Sequence, residues 1–337
     1  MKTPKAKKLK SGNWRVQMMV DGTRRSFTAP TKQEAETEAM KWKVSSETPA
    51  LGTLGQAMES YIESRESVLS PSTLRRYRKI VQLNFLNLQK RVIASISDKE
   101  FQQEINSMSK SYSSKTIKNV WAFVCSVLRE NGRDVKVSLP QVISEPHSFL
   151  QPEQIKPFLA ELEGETLEIP ILLALHGLRR SEIMDIEWKD IDLKNNVIQV
   201  LGSAVIGMDG LVHKKENKNS SSRRSVPILI PRLRTLLESS DRTNRYVCGC
   251  NPNSIYNAVN RVCDRLGYPH IGVHGCRHTF VSLCYHEGIS ELACMKLGGY
   301  ADFATMRRIY THLANSDMDT AKTQLSNFFA HDLHTDT

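Results

Sequence analysis

The chain has 337 residues, 40% apolar and 24% charged, with 46 lysines and arginines against 36 acids for a formal net charge of +10. That length accommodates two or three domains with ordinary cores. No run of about 18 apolar residues is present to span a bilayer, and the charged MKTPKAKKLK start lacks the apolar stretch of a secretory signal. The seven cysteines, odd in number and never spaced C-x-x-C, argue against a disulfide framework or a zinc ribbon, so Cys248 and Cys250 read as reduced thiols in a turn. Residues 1 to 47 hold 11 basic side chains against 5 acids, residues 53 to 142 hold 14 against 8, and the remainder holds 21 against 23. The basic surplus therefore sits in the N-terminal half, as expected if that half grips a phosphate backbone.

Residues 1 to 46 predict a small sheet with a helix behind it. Trp14, Val16, Met18 and Val20 alternate, Asp21-Gly22 is a tight-turn dipeptide, and residues 24 to 28 resume an extended run. Thr31, with Glu34 three residues on, is a capping box that opens the helix. This segment resembles the arm-type DNA-binding domain at the N-terminus of many integrases, which implies Arg15, Gln17, Arg24 and Arg25 as base-reading candidates on the sheet; the blander reading is a solvated basic appendage. Residues 47 to 52 are small-residue and proline linker.

Residues 53 to 138 read as four short helices. Thr53 caps the first and Ser70-Pro71-Ser72 opens the second, with Leu74, Tyr77, Ile80 and Val81 on one face and Arg75, Arg76, Arg78 and Lys79 on the other. Two more fit residues 97 to 110 and 113 to 131. A charged helix face is ordinarily just solvated, but this one lies between two segments that themselves read as DNA-related, which makes Arg75, Arg76, Arg78, Lys115 and Lys118 candidate phosphate contacts. Residues 139 to 147, with Pro140 and Pro146, read as an extended connection.

From residue 148 the chain reads as mostly helical. Gln151-Pro152 opens a helix, residues 169 to 176 form an apolar helix that delivers Gly177-Leu178-Arg179, and the β-branched runs at 197–201 and 226–230 predict a small antiparallel sheet around a polar stretch holding Lys214, Lys215 and Lys218. Residues 273 to 312 read as one helical region. Leu325, Phe328, Phe329 and Leu333 then make an apolar stripe at helical spacing, an exposed surface that invites a partner.

The later segments hold a phosphoryl-transfer inventory without a metal. Charge growing on the non-bridging oxygens of a phosphodiester needs fixed cations, and Arg179 and Arg277 can each present a planar fork to two of them. A tyrosine hydroxyl, with a pKa of about 10, must lose its proton as it attacks; His274 is placed to take it from Tyr310, and Lys218 to protonate the leaving alkoxide. His274 and His278, four apart, could suggest a metal pair, but no H-E-x-x-H pattern accompanies them and Arg277 between them would repel a cation. A hydrogen-bonded structural role suits His278 better.

These residues, Arg179 in G-L-R-x-x-E, Lys218 before R-S-V-P, His274 and Arg277 in H-G-C-R-H, and Tyr310 in I-Y-T-H, resemble the signature set of the tyrosine recombinase (phage integrase) family over residues 148 to 330. The resemblance implies that Arg179, Lys218, His274, Arg277 and Tyr310 are catalytic and that Glu182 is a buried carboxylate orienting the site. It implies an α+β, multidomain chain: an arm-type DNA-binding domain at 1–46 with a three-stranded sheet, a helical core-binding domain at 53–138, and a mostly α catalytic domain at 148–337 with a small antiparallel sheet. One position departs from the pattern. The family's L-G-H, sometimes with tryptophan for histidine, is Leu297-Gly298-Gly299 here, so either a sixth phosphate contact is dispensable or a neighbour such as Tyr300 supplies it.

As implied function, the chain is an integrase of a phage or integrative element that works through a 3′-phosphotyrosine and a Holliday junction without metal, cofactor or ATP. The implied partners are double-stranded DNA with core and arm sites, three further copies in a homotetramer, a DNA-bending host protein and an excisionase, in the bacterial cytoplasm at the nucleoid. A type IB-like topoisomerase or telomere resolvase shares the chemistry but not the arm-type N-terminus; a catalytically silent DNA-binding regulator is the alternative of a different class.

Overall fold

The computed structural model describes residues 5–20, 23–47, 52–143, 148–214 and 223–300, with six further positions between 303 and 326. It divides into the units Met1–Ser144 and Glu145–Thr337. Among the described residues no helix is long and apolar enough to cross a membrane.

The first unit opens with three antiparallel strands, β1 (Lys7–Lys8), β2 (Trp14–Val20) and β3 (Thr23–Ala29), in the order β1-β2-β3. Helix α1 (Lys32–Glu47) covers one face, where Val16 and Ala29 meet Ala35 and Ala39, with Trp14, Met18 and Phe27 around them. Pairing of Met18 with Arg25 sets that arginine on the same face as Met18, whereas Arg15, Gln17 and Arg24, partners of Thr28, Ser26 and Met19, share the opposite face. Arg25 therefore does not join the other base-reading candidates. A direct cross-strand pair points to one side of a sheet, and alternation within a single strand does not reveal the register. Lys7, opposite Arg15, adds a cation to the open face, and Arg24 Nη2 donates to Gln17 Oε1 at 2.9 Å.

Helices α2 (Leu54–Glu63), α3 (Pro71–Leu83), α4 (Leu86–Gln89), α5 (Asp98–Met108) and α6 (Ser114–Glu130) follow. The four expected helices are present, each opened by its serine or threonine cap, and Thr53 and Ser97 form full capping boxes with Gln56 and Glu100. The one-turn α4 was not expected. Aromatic packing of Tyr61 and Tyr77 on Phe123, and of Phe85 and Phe101 on Trp121, joins the bundle. Arg75, Arg76, Lys115 and Lys118 are exposed. Arg78 is half-buried and bonded to Glu66 at 3.0 Å, so its charge is already engaged. The segment after α6 is irregular but anchored: Arg133 donates to Ile93 O at 3.0 Å, and the Lys136 and Ser138 amides bond Asp98 and Gln102.

The second unit comprises α7 (Pro152–Leu162), α8 (Glu168–Leu175), α9 (Arg180–Ile183), strands β4 (Ile191–Asp192), β5 (Val197–Val200), β6 (Ser203–Ile206), β7 (Leu211–Lys214) and β8 (Arg224–Pro227), then α10 (Pro231–Ser239), α11 (Pro252–Leu266), α12 (Gly272–His286) and α13 (Glu291–Gly298). One sheet runs β4-β5-β8, and β6 and β7 form a separate hairpin between its strands. That hairpin was not read from the sequence: its short strands fall between the two β-branched runs that were read as the sheet, and only its last residues enter the polar stretch. The expected continuous helical region from 273 is two helices, broken after His286 where Gly288 takes a positive φ.

Helix α8 is the centre of this core. Ile171, Leu172, Leu173 and Ala174 are all buried, each large aliphatic contributing roughly 1.5–3 kcal/mol. Its last turn is tied to the sheet by His176, whose Nδ1 donates to Leu172 O at 2.7 Å while Nε2 accepts from the Leu229 and Ile230 amides at 2.9 and 3.3 Å. Those bonds require the neutral ring with hydrogen on Nδ1, and burial pushes the His176 pKa below its ordinary value. The unfolded chain takes the proton at about pH 6.5. Stability should therefore fall as pH drops through that value, by up to about 1.4 kcal/mol per pH unit until the folded-state pKa is reached. Thermal melts between about pH 7.5 and about pH 5.5 should show a steeper loss in the parent than in His176→Gln; equal slopes would assign the acid sensitivity to other groups.

Candidate active site

The site draws on the turn between α8 and α9, on α12, on the end of α13 and on β8. Gly177, in a left-handed conformation at φ 82°, turns the chain sharply after α8, so that Arg179 becomes the residue before α9. The buried α12 carries His274, Arg277 and His278. At the end of α13, Gly299 is again left-handed, at φ 63°.

Glu182 binds these parts together. Its carboxylate, 2% exposed, accepts from the Arg179 amide at 2.8 Å and Arg179 Nη1 at 2.6 Å. It also accepts from Arg224 Nη1 at 3.2 Å and Nη2 at 3.0 Å. Burial works to raise its pKa, but the hydrogen bonds and charge of Arg224, helped by Arg179, outweigh it and hold Glu182 below the usual carboxylate range.

The two signature arginines cross. Arg179 Nη2 donates to Gly299 O at 2.5 Å, and Arg277 Nη1 donates to Gly177 O. The Arg277 guanidinium also lies over the Tyr300 ring, 4.0 Å from its centroid, a cation–π contact strengthened by exclusion of water. Arg179 is 34% exposed, whereas Arg277 is 1% exposed and its Nη2 has no hydrogen-bond partner among the described residues. Burial lowers the Arg277 pKa to about 10, which still leaves it charged at neutral pH. Burial likewise raises the Tyr300 phenol against the pull of Arg277. His274 is exposed and His278 half-buried, their rings edge to face with centroids 4.5 Å apart.

Of the predicted site residues, the structure joins Arg179, Glu182 and Gly299 by hydrogen bonds, holds Arg277 on Gly177 O and the Tyr300 ring within reach of their charges, and sets His274 and His278 on the helix that carries Arg277. Lys218 and Tyr310 lie outside the described residues, as do Leu325, Phe328, Phe329 and Leu333. Sequence reasoning missed Arg224. It used Arg224-Ser225-Val226-Pro227 only as a landmark from which to count back to Lys218. The available signal was a charged residue opening a β-branched strand next to a core, a position that needs a buried partner.

The sequence profile of the phage integrase family matches residues 148–317, just over half of the chain. The chain is 25% identical over 210 residues to a XerC-like tyrosine recombinase of Caldanaerobacter subterraneus subsp. tengcongensis, covering 52% of this chain and 53% of that protein. It is 29% identical over 162 residues to the integrase of Staphylococcus phage L54a, covering 42% and 46%. It thus spans about half the length of these curated relatives. In fold it is similar to the Tn1549 transposon integrase in complex with circular intermediate DNA, with a TM-score of 0.65 and 20% identity over 82% of this chain and 99% of that one. It is similar also to a lambda integrase tetramer bound to a Holliday junction, with a TM-score of 0.58 and 15% identity over 91% and 95%. The match over 148–317, which contains every residue of the site, and the shared α+β fold make this chain a member of the phage integrase family of tyrosine recombinases.

Proposed function

We propose that the chain is a site-specific DNA recombinase, an integrase of a phage or integrative element, that cuts and rejoins strands through Tyr310. The observation that carries this reading is Arg277: a guanidinium 1% exposed with one nitrogen lacking a hydrogen-bond partner among the described residues. A buried donor left unmade costs roughly 1–3 kcal/mol, more when charged, and a phosphate oxygen would satisfy it.

In this reading Arg277 binds one non-bridging oxygen from the floor of the site and the more exposed Arg179 binds the other. Fixed guanidinium charges are worth most where water is excluded and where negative charge grows in the transition state. Tyr310 attacks phosphorus, His274 accepts the phenolic proton, and Lys218 gives a proton to the departing 5′ oxygen. The strand stays joined to the protein through a 3′-phosphotyrosine, and attack by a 5′-hydroxyl from the second duplex reverses the step and frees Tyr310. Bond energy is conserved, so no nucleotide is consumed, and the side chains supply the charge that a metal would otherwise provide.

The remaining chain fits the DNA-handling roles that this chemistry needs. Residues 1–46 act as an arm-type domain, 53–138 as a core-binding domain, linked by 47–52 and 139–147, and 148–337 as the catalytic domain with its tail. Lys7, Arg15, Gln17 and Arg24 on the open sheet face are suited to a groove, and Arg75, Arg76, Lys115 and Lys118 to the backbone. Four copies on two duplexes would complete the reaction, with a DNA-bending protein and an excisionase setting its direction.

The parent protein should form a covalent adduct with nicked attachment-site DNA in EDTA, seen on a denaturing gel. Tyr310→Phe should form none while binding DNA within a few-fold; equal loss of binding and attachment would make the tyrosine structural. Arg277→Lys should lose about 100-fold or more of the adduct-forming rate, because a single ammonium nitrogen cannot reproduce the planar fork that reaches Gly177 O and a phosphate oxygen in fixed directions. Unchanged cleavage would remove Arg277 from the clamp. Arg15→Glu with Arg24→Glu should weaken duplex binding in anisotropy titrations and lower the salt slope by about two. Arg25→Glu, on the helix-covered face, should do far less, and an equal effect would mean that only total charge matters.

A further inference from the structure

Arg224 fills a space that the chain leaves open at Gly299. Its side chain is 6% exposed and, besides holding both oxygens of Glu182, donates from Nε to Leu297 O at 2.8 Å. A Cβ built on Gly299 would lie 2.4 Å from Arg224 Nη1, 2.6 Å from Cζ and 2.9 Å from Nε, the end group of a side chain that its bonds to Leu297 O and Glu182 hold in place. The φ of Gly299 is +63°, a region that L side chains other than asparagine and aspartate seldom enter. The carbonyl of the same glycine holds Arg179 Nη2. One end of this loop therefore contributes backbone alone to the site, and the cation beside it comes from a strand about 75 positions earlier in the chain.

We propose that Arg224 is a positioning residue for strand cleavage, and that Gly299 is glycine because the Arg224 guanidinium occupies its side-chain space. Arg224 pulls on Glu182 from one side while Arg179 is held from the other, so the orientation of the Arg179 fork is set by a guanidinium that need not touch the DNA. The missing side chain at position 299 is then not a defect. A histidine placed there would expel Arg224 from Leu297 O and Glu182, release Arg179 from the Gly299 carbonyl, and lower activity instead of restoring a contact. This inference rests on the strand-cleavage reading above.

The test uses the full-length protein and single-turnover adduct formation on nicked attachment-site DNA, with DNA affinity and the thermal midpoint measured alongside. Arg224→Lys retains the charge but has one nitrogen where three contacts are made; it should slow adduct formation about 100-fold at near-parent DNA affinity. Gly299→His should slow it comparably. Gly299→Asn tolerates the left-handed backbone and so isolates the steric conflict. It should cost much of the rate alone but little more when added to Arg224→Lys, whose slimmer side chain leaves the space free. That non-additivity is a readout that general destabilisation would not give. A parent-like rate in Arg224→Lys, a faster rate in Gly299→His, or fully additive losses in the double variant would overturn the inference while leaving the cleavage reading standing. A parent protein that forms no adduct overturns that reading, and this inference with it.

Discussion

The catalytic unit holds three guanidinium groups around one buried carboxylate, and most of its architecture follows from keeping that arrangement dry and fixed. Glu182 takes hydrogen bonds from Arg179 and Arg224 and gives Arg277 only its field, which with Tyr300 does not make up for the burial of that guanidinium. Charges buried in excess are costly. The cost is met locally by the Tyr300 ring and the Gly177 carbonyl and, on the proposed cleavage reading, by the phosphate of the DNA. A site of this kind favours phosphate for the same reason that it lowers the Arg277 pKa: the surroundings cannot solvate the cation fully.

The assembly is non-local. Arg179 and Glu182 come from the turn after α8, Arg224 from β8, Arg277 from α12 and Gly299 from the end of α13. Each is fixed by a backbone device rather than by long side chains searching for partners. The left-handed glycines at 177 and 299 aim carbonyl oxygens into the site, and the buried α12 presents Arg277 from beneath. Among the described residues each of the three arginines is bonded to a backbone carbonyl, and two of them to Glu182, which leaves them less rotamer freedom to lose when a ligand binds.

Much of this was legible in the sequence, for a physical reason. Capping residues and apolar periodicity act over three or four positions, so the helices opened by Thr53, Ser70, Ser97, Ser113 and Gln151-Pro152 were readable one by one. Arg179, Glu182 and Arg277 were readable because G-L-R-x-x-E and H-x-x-R are short and specific. What could not be read were relations across the chain. The strand register that turns Arg25 away from Arg15 and Arg24 depends on pairing, and the β6–β7 hairpin has four-residue strands too short to announce themselves by alternation. Gly299 looked like the loss of a side chain because the guanidinium that fills its space comes from Arg224, on another strand. The ion pair of Arg78 with Glu66 likewise ties α3 to the turn that precedes it, a relation that one helical face cannot report on.

The account stands or falls on which atom becomes joined to DNA. The most direct measurement is to trap the protein on nicked attachment-site DNA in EDTA, digest both components, and identify the nucleotide-bearing peptide by mass spectrometry. A single 3′-linked phosphotyrosine at Tyr310 is the predicted result. Linkage through Tyr300 or any other side chain, or through a 5′ phosphate, would contradict it.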